Sequence, residues 1–325
     1  MKEQEIRPKE IFNEYLRLAE RDAEKYFREE DRFSISCPAC GDDGEYSFTK
    51  SAFDYRLCGK CLTLFVSPRP SEASFLRYYQ ESESAQYWAS TFYKHTAEAR
   101  REKLWRPKAH MIKELIGRFG GRSHNLIDVG GGYGIFAEEY ERISGARVTI
   151  IEPGPDLADV CRKRGLTVLE RFLEQVESTD LPSGQRIFVS FELFEHVPDL
   201  GNFMACLSGL MSQGDLFIFT TLSGTGVDIQ VLWEDSKSVS PPHHLNFLNP
   251  KSVGLLLERI GLNVLEVETP GTLDIDILCN NRDCVKDRFW RTFICQAGED
   301  EKDAMQQFIS AHGLSSHMLV VSRKP

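Results

Sequence analysis

The chain has 325 residues, 41% of them hydrophobic, enough to bury one large core and a smaller satellite domain. Its formal charge of −10 and pI near 5.4 speak against a broad nucleic-acid-binding surface, though not against a local basic patch. The longest strongly apolar runs, such as Leu216 to Thr220, fall far short of the roughly 20 residues that cross a bilayer.

The first segment, "MKEQEIRPKE", is too charged for a signal peptide, so a cytoplasmic location is the default expectation. Residues 1–33 are dense in Glu, Lys and Arg, with Ile6, Tyr15, Leu16, Leu18, Ala19, Tyr26 and Phe27 at amphipathic-helix spacing. They predict one or two solvated helices with an apolar stripe.

Residues 34–84 hold turn residues and four cysteines, and Pro68 and Pro70 interrupt any regular element. They predict a small, separately stabilised module. Cys37-Pro-Ala-Cys40 and Cys58-Gly-Lys-Cys61 are two C-x-x-C pairs with 17 residues between them, close to the four-thiolate zinc pattern. Four sulfurs leave no position open for water, which points to a structural zinc; a redox pair and coincidental thiols are the alternatives. The other five of the nine cysteines (Cys161, Cys206, Cys279, Cys284, Cys295) follow no regular spacing, which suits a reducing compartment better than a secreted disulfide framework.

Residues 85–121 are helical in pattern, carry Tyr87, Trp88, Phe92, Tyr93 and Trp105, and end at Gly120 and Gly121. They are expected to connect the cysteine module to a domain spanning 122–325. In that domain β-rich runs alternate with helical stretches. The runs are Leu126–Val129, Val148–Ile151, Leu166–Leu169, Ile187–Ser190, Leu216–Thr220, Val264–Val267 and Met318–Val321. Ile135–Ser144 and Asp156–Arg164 are long enough for crossover helices. The alternation predicts an α/β fold, a doubly wound Rossmann-like sheet.

The first run leads into "LIDVGGGYG", which places Gly130, Gly131, Gly132 and Gly134 at the carboxyl end of a strand, where such sheets bind ligands. A dinucleotide fingerprint needs a glycine or alanine where Ile135 stands, and no Lys-Ser/Thr follows to make a phosphate loop. Asp128 beside the glycines suits a cationic or hydroxyl-bearing ligand rather than a pyrophosphate. S-adenosylmethionine (SAM) is such a ligand: it has an amino group, a sulfonium and a ribose, and no phosphate. Glu152, ending the second run before Pro153, stands where a carboxylate can accept hydrogen bonds from both ribose hydroxyls. A bare tight turn and a solvated strand end are the bland alternative.

"LIDVGGGYG", "VTIIEPGPDLADVCRKRG", "ELFEHVPDL" and "PPHHLNFLNPKSVGLLLERIGL" together resemble the class I SAM-dependent methyltransferases over roughly residues 100–325. The resemblance implies that the glycine turn cradles the amino-acid part of the cofactor and the second-strand acid its ribose. It also implies that Phe191 to His196 line the methyl-donor side; adenine contacts are sought around Glu170 to Phe172. Arg186 departs from the acid the family usually carries near the start of the fourth strand.

Methyl transfer to a hydroxyl or carbon acid needs a base, and His196, His243 and His244 stand in suitable places, with His244 foremost. A structural role is the alternative for each. Residues Leu222 to Phe247 form a long connection after the fifth run, in which Trp233 offers a flat face for a sugar, or else a core side chain. The cysteine segment followed by this domain resembles the deoxysugar C-methyltransferases, whose Tyr-His-Glu-His stretch is matched by His244 but not by Pro241 or His243. The chain more nearly resembles the zinc-ribbon methyltransferases often associated with surface-polysaccharide biosynthesis. That resemblance implies a small-molecule acceptor, a sugar on a nucleotide or lipid carrier. Methylation of rRNA or tRNA, and SAM binding without catalysis by a partner protein, are the other two function classes.

Overall fold

The computed structural model describes residues 2–27, 32–120 and 124–325. Among them run strands β1 (Arg32–Phe33), β2 (Gly44–Lys50), β3 (Phe53–Cys58), β4 (Leu64–Val66), β5 (Arg69–Pro70), β6 (Asn125–Val129) and β7 (Val148–Ile151). There follow β8 (Thr167–Leu169), β9 (Arg186–Phe191), β10 (Leu216–Leu222), β11 (Asn246–Phe247), β12 (Asn263–Glu268) and β13 (His317–Arg323). Each of the seven β-rich runs read from the sequence is a strand of one seven-stranded sheet, ordered β12-β13-β10-β9-β6-β7-β8. The strands from β10 to β8 are parallel, and β13 lies antiparallel to both β10 and β12.

The central strands are nearly continuous apolar runs because both faces of the sheet are covered. Alternate side chains feed two cores. Ile127, Val129, Phe188, Phe217 and Phe219 enter one, while Leu126, Ile150, Ile187, Val189 and Ile218 enter the other. Helices Ile135–Ser144 and Pro155–Lys163 make the crossovers. The order reverses at β6, which pairs with β7 on one side and β9 on the other, and this opens the crevice in which a ligand can lie.

The N-terminal expectation of helices with an apolar stripe corresponds to Glu3–Ile6 and Lys9–Phe27, the latter burying Phe12, Tyr15, Leu18, Ala19, Ala23, Tyr26 and Phe27. From Glu83 to Phe119 the chain is helical throughout, widening into π-turns at Trp88–Phe92 and Arg101–Trp105. Gly121 and the expected boundary at 121/122 lie outside the described residues.

The cysteine segment is less separate than its spacing suggests. Its strands form a second sheet, β11-β4-β3-β2, whose edge strand β11 comes from the connection that follows β10. Cys37, Ala39, Cys58, Cys61 and Phe65 share one core with the large sheet. Asn249 Nδ2 donates to the Cys61 carbonyl at 2.8 Å, and Arg259 Nη1 to the Ala39 carbonyl at 2.8 Å. No helix among the described residues is long and apolar enough to cross a membrane.

Candidate functional site

The glycine turn sits at the carboxyl end of β6. Gly130, Gly132 and Gly134 have φ of +72°, +54° and +70°, a region costly for any residue with a Cβ. A Cβ on Gly130 would press on Leu193, one on Gly131 on Ile150, and one on Gly134 on Leu166 and Cys161, whereas one on Gly132 would meet nothing within 4 Å. Gly132 therefore faces open space.

Two acids border that space. Glu152, at the end of β7, is buried and accepts from Gly132 N and Gly154 N, both at 2.9 Å; burial pushes its pKa up. Pro153 lies in the turn between Glu152 and Gly154. Asp128 is 2% exposed, and its Oδ2 has no hydrogen-bond partner. Burial, then the Glu152 charge, pushes its pKa up to about 7. A buried carboxylate oxygen left unpaired beside open space is costly unless a donor arrives. The amino and hydroxyl donors of SAM fit that arrangement, and a pyrophosphate does not.

Beyond β9, Phe191 packs on Phe136 with ring centroids 4.5 Å apart. Glu192 follows with φ +52°, a conformation that costs about 1–3 kcal/mol and persists only where the surroundings enforce it. They do so here: Lys108 Nζ stands at 3.2 Å and His317 Nδ1 at 3.4 Å, and Thr220 Oγ1 donates at 2.8 Å. Burial alone would raise the Glu192 pKa; the charges of His317 and Lys108 outweigh it and hold the group below the usual carboxylate range. Glu195, 1% exposed, accepts from Thr221 Oγ1 at 2.8 Å; burial, then the Glu192 charge, pushes it up to about 8. Two acids three residues apart are thus driven in opposite directions. The residue string "ELFEH" was visible in the sequence, but nothing there separated these acids from ordinary strand-end carboxylates.

The three histidines named from sequence are brought together in space. His196 and His244 have ring centroids 4.8 Å apart, and His196 and His243 6.1 Å. Ligand atoms of Glu195, His196 and His244 lie within 4.8 Å of one another, a set that can hold a proton network or a divalent ion. The His244 Nδ1 is 2.5 Å from the Ser238 carbonyl; a carbonyl only accepts, so this nitrogen carries the proton and Nε2 the lone pair. His243 Nε2 instead lies 2.7 Å from Tyr78 Oη, amid Tyr15 and Tyr79. Burial pushes the pKa of His243 down to about 3 and that of His244 to about 4, and holds His196 well below its usual value.

Strand β11 positions this loop. Val66 N donates to the Leu245 carbonyl at 2.9 Å, Tyr55 Oη to the His244 carbonyl at 2.7 Å, and the buried Arg69 to the Leu245 carbonyl and Asn246 Oδ1. Trp233, offered as a stacking surface, packs edge-on against Phe48 at 5.6 Å, in the cluster that holds Tyr55 and Phe247. Arg186 opens β9 at the end away from the glycine turn, where it donates to Pro182, Ser178 and Leu210. It takes no part in the crevice. Phe172, in the stretch sought for adenine contacts, is 40% exposed just beyond β8.

The four clustered cysteines have all their sulfurs within 4.8 Å of one another. Cys37–Cys61 and Cys40–Cys58 are each 3.5 Å apart. Thiolates about 2.3 Å from a tetrahedral ion are separated by about 3.8 Å, so the donor set fits zinc.

A doubly wound sheet with an acid-flanked glycine turn, reversed at β6, defines a nucleoside-cofactor-binding α/β domain. The family model described as "Methyltransferase domain" matches residues 96–267. The chain belongs to that family, and its domain is a class I SAM-dependent methyltransferase domain. It is similar to the ubiquinone biosynthesis O-methyltransferase of Methylocella silvestris, 33% identical over 104 residues, 31% of this chain and 40% of that protein. The protein of the same name from Xanthomonas oryzae pv. oryzae is 26% identical over 153 residues, 44% of this chain and 64% of that protein. The match therefore spans less than two thirds of either relative. Among solved structures, the plantazolicin methyltransferase BpumL in complex with SAH superposes with a TM-score of 0.50 at 10% identity, covering 77% of this chain and 93% of that one.

Proposed function

We propose that the protein transfers a methyl group from SAM to a hydroxyl of a small-molecule acceptor, with His244 as the base. The observation that carries this reading is the fixed tautomer of His244: its Nδ1–H is held by Ser238, and its Nε2 lone pair lies within a cluster shared with Glu195 and His196. When bound, SAM supplies an electrophilic methyl on a sulfonium. Asp128 and Glu152 hold its amino and ribose donors, and Gly132 leaves room for it. His244 Nε2 takes the acceptor's hydroxyl proton, and His196 and Glu195 hold the ring in place. Oxygen is favoured as the accepting atom because the similar proteins are named as O-methyltransferases. In this reading Cys37, Cys40, Cys58 and Cys61 hold a structural zinc that keeps β4, and through it β11, in register.

The acceptor class expected from the sequence, a sugar on a nucleotide or lipid carrier, is tested against the others in one assay. The full chain is incubated with SAM and, separately, with nucleotide sugars, ubiquinone precursors and ribosomal RNA, and S-adenosylhomocysteine (SAH) is measured by mass spectrometry. Turnover with a hydroxylated small molecule supports the reading. Turnover with RNA alone moves the protein to the nucleic-acid class, and SAM binding with no turnover on any acceptor makes it a cofactor-binding partner.

A further inference from the structure

We infer that Arg7 and Arg100 form a site for an anionic group, phosphate or carboxylate, carried by the acceptor. The inference rests on the methyl-transfer reading of the crevice. The turn Glu3–Ile6 packs on the helix Tyr93–Arg100, and Lys103 is ion-paired to Glu5 beside it. This brings the arginine that ends the N-terminal turn and the arginine that ends the helix to the same place.

Neither guanidinium makes a hydrogen bond or ion pair among the described residues, and Arg100 Nε is buried without a partner. Acids are not lacking nearby. Arg101 is held by Glu138 and Glu139, and Arg106 by Glu139 and Glu102. Arg100 alone of the three is left unpaired. A half-buried guanidinium whose Nε is shut off from solvent beside a second cation is costly, and an incoming anion relieves both the desolvation and the repulsion. In keeping with this, burial, then the Arg7 charge, lowers the Arg100 pKa to about 10.

The anion is assigned to the acceptor because of what the arginines face. The cation that Asp128 feels is Lys108, whereas the Arg7 charge acts on His244, His317 and Tyr15. Arg7 also lines a small cavity in which Lys9 and Lys237 outnumber the one acid, Glu3, Lys237 coming from the same connection as His244. The cations thus stand on the histidine side of the crevice, where two forked guanidiniums can grip the oxygens of one anion.

The test is calorimetric titration of the SAH-loaded full chain with inorganic pyrophosphate and, in a second arm, with malonate. Pyrophosphate binding assigns the site to phosphate and malonate binding to carboxylate. Arg7→Gln and Arg100→Gln should each weaken the bound anion about tenfold or more, with SAH affinity unchanged. Arg100→Met should melt at a higher temperature than the wild type without anion and lose the anion-induced rise. No binding of either anion, or equal binding by wild type and both variants, overturns the inference. If Arg100→Gln loses SAH instead, the arginine serves the cofactor's carboxylate and the assignment to the acceptor falls. Failure of the wild type to bind SAH at all would strike the methyl-transfer reading itself, which the anion arm does not measure.

Discussion

His196 and His244 meet edge to face, ring centroids 4.8 Å apart at an interplanar angle of 72°. One follows β9, and the other is delivered from the connection after β10 by a strand of the cysteine-bearing sheet. Their contact joins the cofactor-binding sheet to the cysteine segment.

His244→Ala should lower kcat by roughly 10²–10⁴ while leaving SAM affinity nearly intact, and His196→Ala should cost less. The base must be neutral. With the His244 pKa held down to about 4, activity should persist as pH falls through the ordinary histidine range near 6.5 and disappear only toward 4. A rate profile that breaks near 6.5 speaks against both buried histidines as the base, whereas full turnover in His244→Ala at saturating acceptor removes His244 alone and leaves His196 next in line.

On the cofactor side, Gly132→Val should abolish SAM binding, because it forces φ +54° on a branched residue and fills open space. Glu152→Ala should remove charge-assisted hydrogen bonds worth roughly 1.5–3 kcal/mol each. It also frees Gly132 N and Gly154 N, so the turn should loosen as well. Calorimetry showing unchanged SAM affinity in both variants would mean that the cofactor lies elsewhere.

The large sheet was legible because its strands are buried on both faces: "LIDV", "VTII" and "IFVS" are apolar runs that no amphipathic helix would produce. The glycine turn was legible because three of its glycines adopt positive φ, which the spacing advertises. The partners of the histidines were not. Nothing local in "PPHHLNF" says that Asn246 and Phe247 pair with Phe65 and Leu64, because antiparallel pairing across so long a loop is a tertiary choice. The same long-range packing turns Trp233 toward Phe48 and leaves Arg100 without an acid, and neither outcome has a local signature. Glu192 falls within the Phe191 to His196 stretch, but its positive φ has no local signature because it belongs to the surrounding network, not to glutamate.

Metal analysis of the purified chain should give about one zinc, lost on Cys→Ser substitution at Cys37, Cys40, Cys58 or Cys61. Because β4 pairs with β11, and Asn249 is tied to the Cys61 carbonyl, removing the metal should disturb the His244 loop as well as β2 to β4. Chelation is therefore expected to lower both the melting temperature and turnover, with SAM affinity less affected. A folded, fully active, metal-free chain would refute the zinc assignment.

Asp228 offers a stability test away from the site. Its carboxyl is completely buried, and neither oxygen has a hydrogen-bond partner. Neighbouring Asp274 is filled by Ser316 N, Ser315 Oγ and Gln306 Nε2. Burial, then the Asp274 charge, pushes the Asp228 pKa up to about 8 from an ordinary 3.8. The folded chain therefore holds a proton that the unfolded chain releases. The stability this contributes is fully present below about 3.8 and drains away as pH rises toward 8. Asp228→Asn keeps the neutral shape at every pH, so its melting temperature should gain on the wild type from pH 5 to pH 8 and level off above. Each kcal/mol of that gain should appear as roughly 2–4 °C. A difference between the two proteins that stays flat across this range would show that Asp228 is ionised in the folded chain, and that Asp274 and its partners tolerate the second charge.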